Sequence, residues 1–267
     1  MQYNELLLGL KSLLGYHHGT GIGPYPRNED ISRFLESTPS SYGAPPPLVS
    51  PEESVPAEVV GKEQRVEERG IPRPVVTLAE IAQEVALCRA CNLAQRRLAT
   101  RAGCGPGRGV RLLVVGNWLI GTTDAEIPEE VQFGIAEDQM LSRMLAAINI
   151  PQEQTFITNA IKCVVPKDVQ PLAENFRICL SFLHRQISLI DPDCICTMGM
   201  MATRTLLGLP QPLSQLRGRF LSFQADKGKQ IPVMATYHPS FLLQNPEMKK
   251  AVWLDLQLIG RQLKTLS

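Results

Sequence analysis

The 267-residue sequence contains no apolar run long enough to span a bilayer, so no membrane-embedded segment is expected. Its N-terminus has no basic region followed by an apolar core and a small-residue cleavage site. A cytoplasmic chain with no membrane partner is therefore the expectation; a monomer is expected as well. Bulk charge of one sign is lacking as well. Lys and Arg number 27 against 26 Asp and Glu, a net +1 that gives no overall basic signal for nucleic acid. No internal repeat is visible. The loop after "RLLVVG" lacks the G-x-G-x-x-G fingerprint, which argues against a nucleotide-binding α/β protein carrying a structural zinc. In a cytosolic chain the seven cysteines stay reduced or bind metal rather than form disulfides.

What is present is unevenly distributed. Residues 1–79 carry 7 Lys/Arg and 10 Asp/Glu, whereas residues 80–267 carry 20 and 16. Between Arg89 and Arg111 lie six arginines and no acid, a stretch that fits either phosphate contacts or a solvated basic loop. Residues 1–37 read as short helices, the first amphipathic from Tyr3 to Gly15. Residues 38–75 are rich in Pro, Ser and charge and cannot bury enough apolar surface to fold alone, so they read as a flexible linker. The N-terminal segment either docks on the core or binds a protein partner.

From residue 76 onward the pattern changes. Thr77 and Glu80 fit an N-terminal capping box, and strand and helix signals then alternate. "RLLVVGN", "TFITNAI", "DCICTMG" and "QIPVMATYH" read as strands. "DQMLSRMLAAINI", a long helix opening at Pro171, "MMATRTLLG" and a closing helix from Pro239 separate and follow them. This alternation predicts an α/β fold, three layers α/β/α around a mainly parallel central sheet.

Cys88 and Cys91 form a C-x-x-C pair at a helix end. Cys163 follows a strand and Cys179 lies within the next helix, while Cys104 sits in a Gly/Pro turn and Cys194 and Cys196 in a buried-strand pattern. Two thiolates from the pair and two from neighbouring segments would make a four-thiolate site suited to zinc or to an iron–sulfur cluster; spacing does not choose. Three strand ends also stand out. Gly116 closes the first strand, Asn159 the second, and His238-Pro239-Ser240 the last, all at the edge where open α/β sheets bind ligands.

The ordered set "CRACNL", "RLLVVG", "QFGIAEDQMLSRMLAAINI", "TFITNAIKC", "ICLSFLHRQISLIDPDCICTMGMMATRTLLG", "LRGRF" and "IPVMATYHPSFLLQNP", spanning about Leu78 to Leu263, resembles the family-4 uracil-DNA glycosylases. The resemblance implies a [4Fe–4S] cluster on Cys88, Cys91, Cys163 and Cys179, and so selects iron–sulfur over zinc. It implies a DNA partner containing uracil or another damaged base, which is flipped out and cut from its sugar. Phe133 would stack on the base, Asn159 would read its edge beside Gly116, and His238 would donate to the base oxygen as charge develops. Ser240 would contact backbone phosphate.

The first motif departs from the family. Where it reads Gly-Glu-Ala-Pro-Gly, this chain has Gly116-Asn117-Trp118-Leu119-Ile120. Where it reads Phe-Val-Gly-Arg-Ala-Gly, this chain has Phe133-Gly134-Ile135-Ala136-Glu137-Asp138. Asn117 cannot act as a general base but can orient a water, and Asp124, Glu126 or Asp138 are acids near enough in sequence to substitute. Two functional expectations follow. One is a glycosylase using His238, Asn159 and a water placed by Asn117. The other is a silent [4Fe–4S] protein that binds DNA or a repair partner, its pocket filled by Trp118 and Ile120.

Overall fold

The computed structural model describes residues 77–122 and 127–266. The expected N-terminal segment 1–37 and linker 38–75 lie outside the described residues. Helix α1 (Leu78–Leu87) opens on the expected capping box: Thr77 accepts from the Glu80 backbone N–H at 3.2 Å, and Glu80 accepts from that of Thr77 at 2.6 Å. A short helix α2 (Leu93–Arg96) leads to the two-residue strand β1 (Ala99–Thr100) and then β2 (Leu112–Gly116). Next come β3 (Ile120–Gly121), α3 (Ile135–Ala147), β4 (Thr155–Asn159), β5 (Cys163–Pro166) and α4 (Ala173–Ile190). Strand β6 (Cys194–Met198) precedes α5 (Met200–Leu207), α6 (Leu213–Leu216), β7 (Phe220–Gln224) and β8 (Gln230–Thr236). Helices α7 (Pro239–Gln244) and α8 (Lys249–Thr265) close the chain.

The main sheet has the order β4-β2-β6-β8-β7, parallel except for the antiparallel edge strand β7. Alternate residues of each strand face opposite layers, as the period of two requires. Leu113, Val115, Ile195 and Val233 pack with Phe176, Leu183 and Ile187 of α4 and with Ala202 of α5. Leu112, Val114, Cys196 and Met234 pack with Leu141 of α3 and with Val252, Leu256 and Ile259 of α8. The three-layer α/β/α fold is therefore present, its strands β2, β4, β6 and β8 largely buried on both faces. A second small sheet, β1-β5-β3, lies outside the expected alternation. The long helix begins at Ala173 rather than Pro171, with the Asn175 side chain accepting the Leu172 N–H. The closing helix is broken at Asn245–Met248, where Pro246 denies a continuous ladder its N–H. Among the described residues no helix is long and apolar enough to cross a membrane.

The end of β8 is anchored from below. Asp255 of α8 is completely buried and accepts from Thr236 Oγ1 at 2.6 Å and from Arg217 Nε and Nη2 at 3.1 and 3.0 Å. Burial raises the Asp255 carboxyl, and Thr236 and Arg217 oppose that rise. Removing the acid strands a mostly buried guanidinium, a loss of about 3–5 kcal/mol. Asp255→Ala is thus expected to lower the free energy of urea unfolding by that amount; a loss under about 1 kcal/mol would mean the pair is worth no more than a surface one.

Candidate active site

The parallel strands deliver their C-terminal ends to one edge, where Gly116 of β2 pairs in register with Asn159 of β4. A Cβ on Gly116 would collide with the Phe133 ring and stand 2.5 Å from Asn159 Oδ1, so only glycine lets those two side chains meet over the strand end. The Phe133 ring in turn lies 4.8 Å, centroid to centroid, from that of His238, two residues beyond β8. Gly116, Phe133, Asn159 and His238, each named from the sequence, are thereby brought together. The three side chains are buried, at 5%, 1% and 7% exposure. Gly134, at φ +137°, makes the sharp entry from Phe133 into α3, a conformation side chains resist.

Buried polar groups in folded proteins nearly always have partners. Here Asn159 Oδ1, His238 Nε2 and Gln132 Oε1 are buried without one. Their chemical identity follows from what the other ends of the same side chains do. Asn159 Nδ2 donates to the Gln132 carbonyl, so Oδ1 is the unpartnered end and an acceptor. His238 Nδ1 accepts from the Ser240 backbone N–H at 3.3 Å and lies 2.9 Å from Ser240 Oγ. That assigns the proton of the neutral ring to Nε2. Burial pulls His238 down to about 4, so the ring is neutral at pH 7 and Nε2–H is an unpartnered donor. An aromatic face, one acceptor and one neutral donor suit a flat heterocycle with a ring N–H beside a carbonyl.

The loop after β2 takes a different course from its bulk. Asn117 is half-buried, and its Oδ1 accepts from the Ala202 N–H at 2.9 Å in the first turn of α5. A Cβ on Gly199 would stand 2.5 Å from Asn117 Nδ2, so the amide lies against that glycine. Trp118 does not fill the site: it meets Phe176 of α4 edge-on at 5.9 Å and belongs to the core on that side of the sheet. Leu119 is buried against Val131 and Val164, while Ile120 is 49% exposed. The expectation that Trp118 and Ile120 occlude the pocket is corrected by these contacts. Ser240 is half-buried with its hydroxyl on His238. Of the alternative acids, Asp124 and Glu126 lie outside the described residues. Asp138 accepts two backbone N–H groups, from Gln132 at 2.7 Å and Phe133 at 3.1 Å.

The cysteines divide by position. Cys163 opens β5 and Cys179 lies on the buried side of α4. Burial raises the Cys163 thiol, Arg97 opposes the rise, and the charges of Cys91 and Cys88 add to it. Burial pushes Cys179 up to about 11, the Lys162 backbone N–H opposes this, and Cys163 and Cys91 add to it. Cys88, Cys91, Cys163 and Cys179 therefore share one electrostatic neighbourhood. Cys194 and Cys196 face the opposite layer of the sheet, and Cys104 bridges to Ile157. Among the described residues no three His, Cys, Asp or Glu close around a single ion.

Two cations beside the four thiols fit a larger anionic group. Arg97 Nη1 lies 3.9 Å from Cys163 Sγ and donates to the Cys88 carbonyl at 2.9 Å. Lys162 is 2% exposed, and its ammonium meets only neutral oxygens, Thr158 Oγ1 and Gln186 Oε1, each at 2.6 Å. Burial lowers it to about 7, opposed only by Cys179. A buried lysine without a carboxylate is costly unless another anion compensates it, and thiolates holding an iron–sulfur cluster are such an anion.

Arg97 and Lys162 were not singled out by sequence reasoning. Arg97 was hidden in the arginine-rich stretch, much of which is committed to protein. Arg96 pairs with Asp168 at 2.5 Å, Arg101 donates to the Thr100, Ile127 and Pro128 carbonyls, and Arg111 pairs with Asp193 at 3.3 Å. Those three arginines are engaged by the protein itself.

Residues 102–257 match the family model of the uracil DNA glycosylase superfamily. The chain is 28% identical over 189 residues to a type-4 uracil-DNA glycosylase of Archaeoglobus fulgidus, a span covering 69% of this chain and 92% of that protein. It is 30% identical over 191 residues to the type-4 uracil-DNA glycosylase of Sulfurisphaera tokodaii, covering 68% and 83% of the two chains. The type-4 uracil-DNA glycosylase of Saccharolobus solfataricus is 30% identical over 190 residues, covering 69% and 86%.

Proposed function

The chain belongs to the uracil DNA glycosylase superfamily, and we propose that it hydrolyses the N-glycosidic bond of uracil flipped out of DNA, in base excision repair. The observation that carries this reading is the unpartnered pair Asn159 Oδ1 and His238 Nε2 beside the Phe133 ring. Uracil stacks on Phe133 over Gly116, and its N3–H donates to Asn159 Oδ1. As the C1′–N1 bond breaks, its electron pair passes to the base. The His238 Nε2–H donates to the base O2, where the charge develops. Water adds at C1′, and the proton it gives up passes through solvent to N1 of the departing base, leaving free uracil and an abasic sugar.

Asn117, with its carbonyl oxygen held by Ala202, orients that water but cannot take its proton, so leaving-group stabilisation carries more of the barrier than general-base chemistry does. Ser240, whose hydroxyl lies 2.9 Å from His238 Nδ1, would contact the backbone phosphate and steady His238. Cys88, Cys91, Cys163 and Cys179 would hold a [4Fe–4S] cluster, which would tie together the chain segments that carry them. In this proposal residues 76–267 are the glycosylase domain, working in the cytoplasm as a monomer. Residues 1–37 are an arm for a protein partner, and residues 38–75 its tether.

The test is excision itself. Cluster-replete protein is incubated with DNA carrying one uracil, and alkali then cleaves any abasic site. Cleavage at the uracil position is expected. Intact DNA, alongside a control glycosylase that cuts it, would exclude uracil as the substrate.

A further inference from the structure

We infer that Asp138 is a positioning residue that decides which end of the Asn159 amide faces the base, and through it the preference for a ring N–H over a bare ring nitrogen. The inference rests on the proposed base-reading role of Asn159 and adds a residue to it. Family resemblance does not suggest it, because the aligned family position is glycine.

One peptide plane links the Asp138 carboxylate to the Asn159 amide. Asp138 Oδ1 accepts from the Phe133 N–H at 3.1 Å, and its Oδ2 accepts from the Gln132 N–H at 2.7 Å. The Phe133 N–H and the Gln132 carbonyl belong to the same planar peptide and point in opposite directions. Fixing the N–H end therefore fixes the carbonyl end, which is the end that receives Asn159 Nδ2. Two oxygens cannot face each other there, so Asn159 is compelled to keep Nδ2 on the carbonyl and to leave Oδ1 unpartnered. An unpartnered acceptor takes the N3–H of uracil and rejects cytosine, whose N3 is itself an acceptor.

The rest of the segment leaves the carboxylate as the external grip on these two N–H groups. Gln132 is buried at 1% exposure, and its side-chain Nε2 is directed at the Glu129 and Glu130 carbonyls, each at 3.4 Å. Asp138 itself is fixed in the first turns of α3, its own N–H donating to the Gly134 carbonyl at 2.8 Å. Without the carboxylate the 132–133 peptide can turn over. Its N–H would then face Asn159, draw Oδ1 to itself and leave Nδ2 toward the base, the arrangement that reads cytosine.

Asp138→Asn and Asp138→Ala test this in the cluster-replete full chain. Asparagine keeps the volume but offers an oxygen to only one of the two N–H groups; alanine keeps the helix and removes both contacts. Free uracil and free cytosine are titrated against each protein, and exchange of the Asn159 side-chain amide is followed by nitrogen-15 NMR. The expected result is a fall of about tenfold or more in the uracil-to-cytosine affinity ratio, together with faster exchange of that amide, at an unchanged unfolding midpoint for Asp138→Asn. A destabilised loop that only loosened packing would weaken both bases alike. Unchanged selectivity and unchanged amide protection in either folded variant overturn the inference. If the wild-type protein binds neither base, the base-reading proposal fails by itself, and the amide exchange still decides whether Asp138 sets Asn159.

Discussion

His238→Ala is expected to slow uracil excision by about 10²–10³-fold while uracil-containing DNA still binds. The size follows from what the ring does. Its Nε2–H is a buried donor with no partner, and in the proposed reaction it meets an oxygen whose charge grows only as the glycosidic bond breaks. Such a donor contributes mostly to the transition state, so its loss falls on kcat rather than on KM. With asparagine in place of a carboxylate at position 117, less of the barrier can be carried by a base, and the dependence on His238 is sharpened.

The pH profile separates a neutral donor from an imidazolium. Burial lowers His238 to about 4, so the ring keeps one charge state from pH 6 to 8, and the excision rate shows no inflection from it there. In the unfolded chain the ring titrates near ~6.5. Between those two values the unfolded state binds the extra proton, and stability falls as pH drops through that window. Single-turnover excision against pH, with wild type and His238→Ala in parallel, checks the first statement, and urea unfolding of the same two proteins against pH checks the second. A variant that excises as fast as wild type would remove His238 from the mechanism.

Much of the fold was legible because its main strands are buried on both faces and read as short apolar runs, "LLVV" of β2 being the clearest. What escaped had no such signal. Strand β7 is a half-exposed edge whose "FLSFQ" lacks a continuous apolar run, and β1 and β3 are two residues long. In the site, Gly116, Asn159 and His238 were findable because strand ends of a parallel sheet converge, and the structure brings them together with Phe133. The grip of Asp138 was not legible as such, since backbone N–H groups carry no residue identity. Nor was the anchoring of Asn117, whose partner is the main chain of Ala202, 85 residues away. Trp118 shows the opposite limit: its size suggested a blocked pocket, but direction decides, and it points to Phe176.

Cys163→Ala is expected to yield a protein that lacks the visible absorbance of the wild type and unfolds at distinctly lower urea. Two costs add. The proposed thiolate set would close segments far apart in the chain, Cys88 and Cys91 at the end of α1 with Cys163 on β5 and Cys179 on α4, and metal-binding free energy would then also be folding free energy. Losing the anion would then leave Lys162, buried with only neutral partners and lowered to about 7 by burial, without a charge that keeps it protonated, and Arg97 without its counter-charge. Cys194→Ala is the matched control: that thiol is equally buried but faces the opposite layer of the sheet, and its loss leaves the absorbance intact. Anaerobic purification, iron and sulfide analysis and urea unfolding of the three proteins supply the comparison. Full wild-type absorbance in Cys163→Ala removes Cys163 from the ligand set, and a colourless wild type with one bound zinc replaces the cluster with a single ion. Loss of colour with unchanged stability would make the cluster an appendage, and Lys162 would then need another anion.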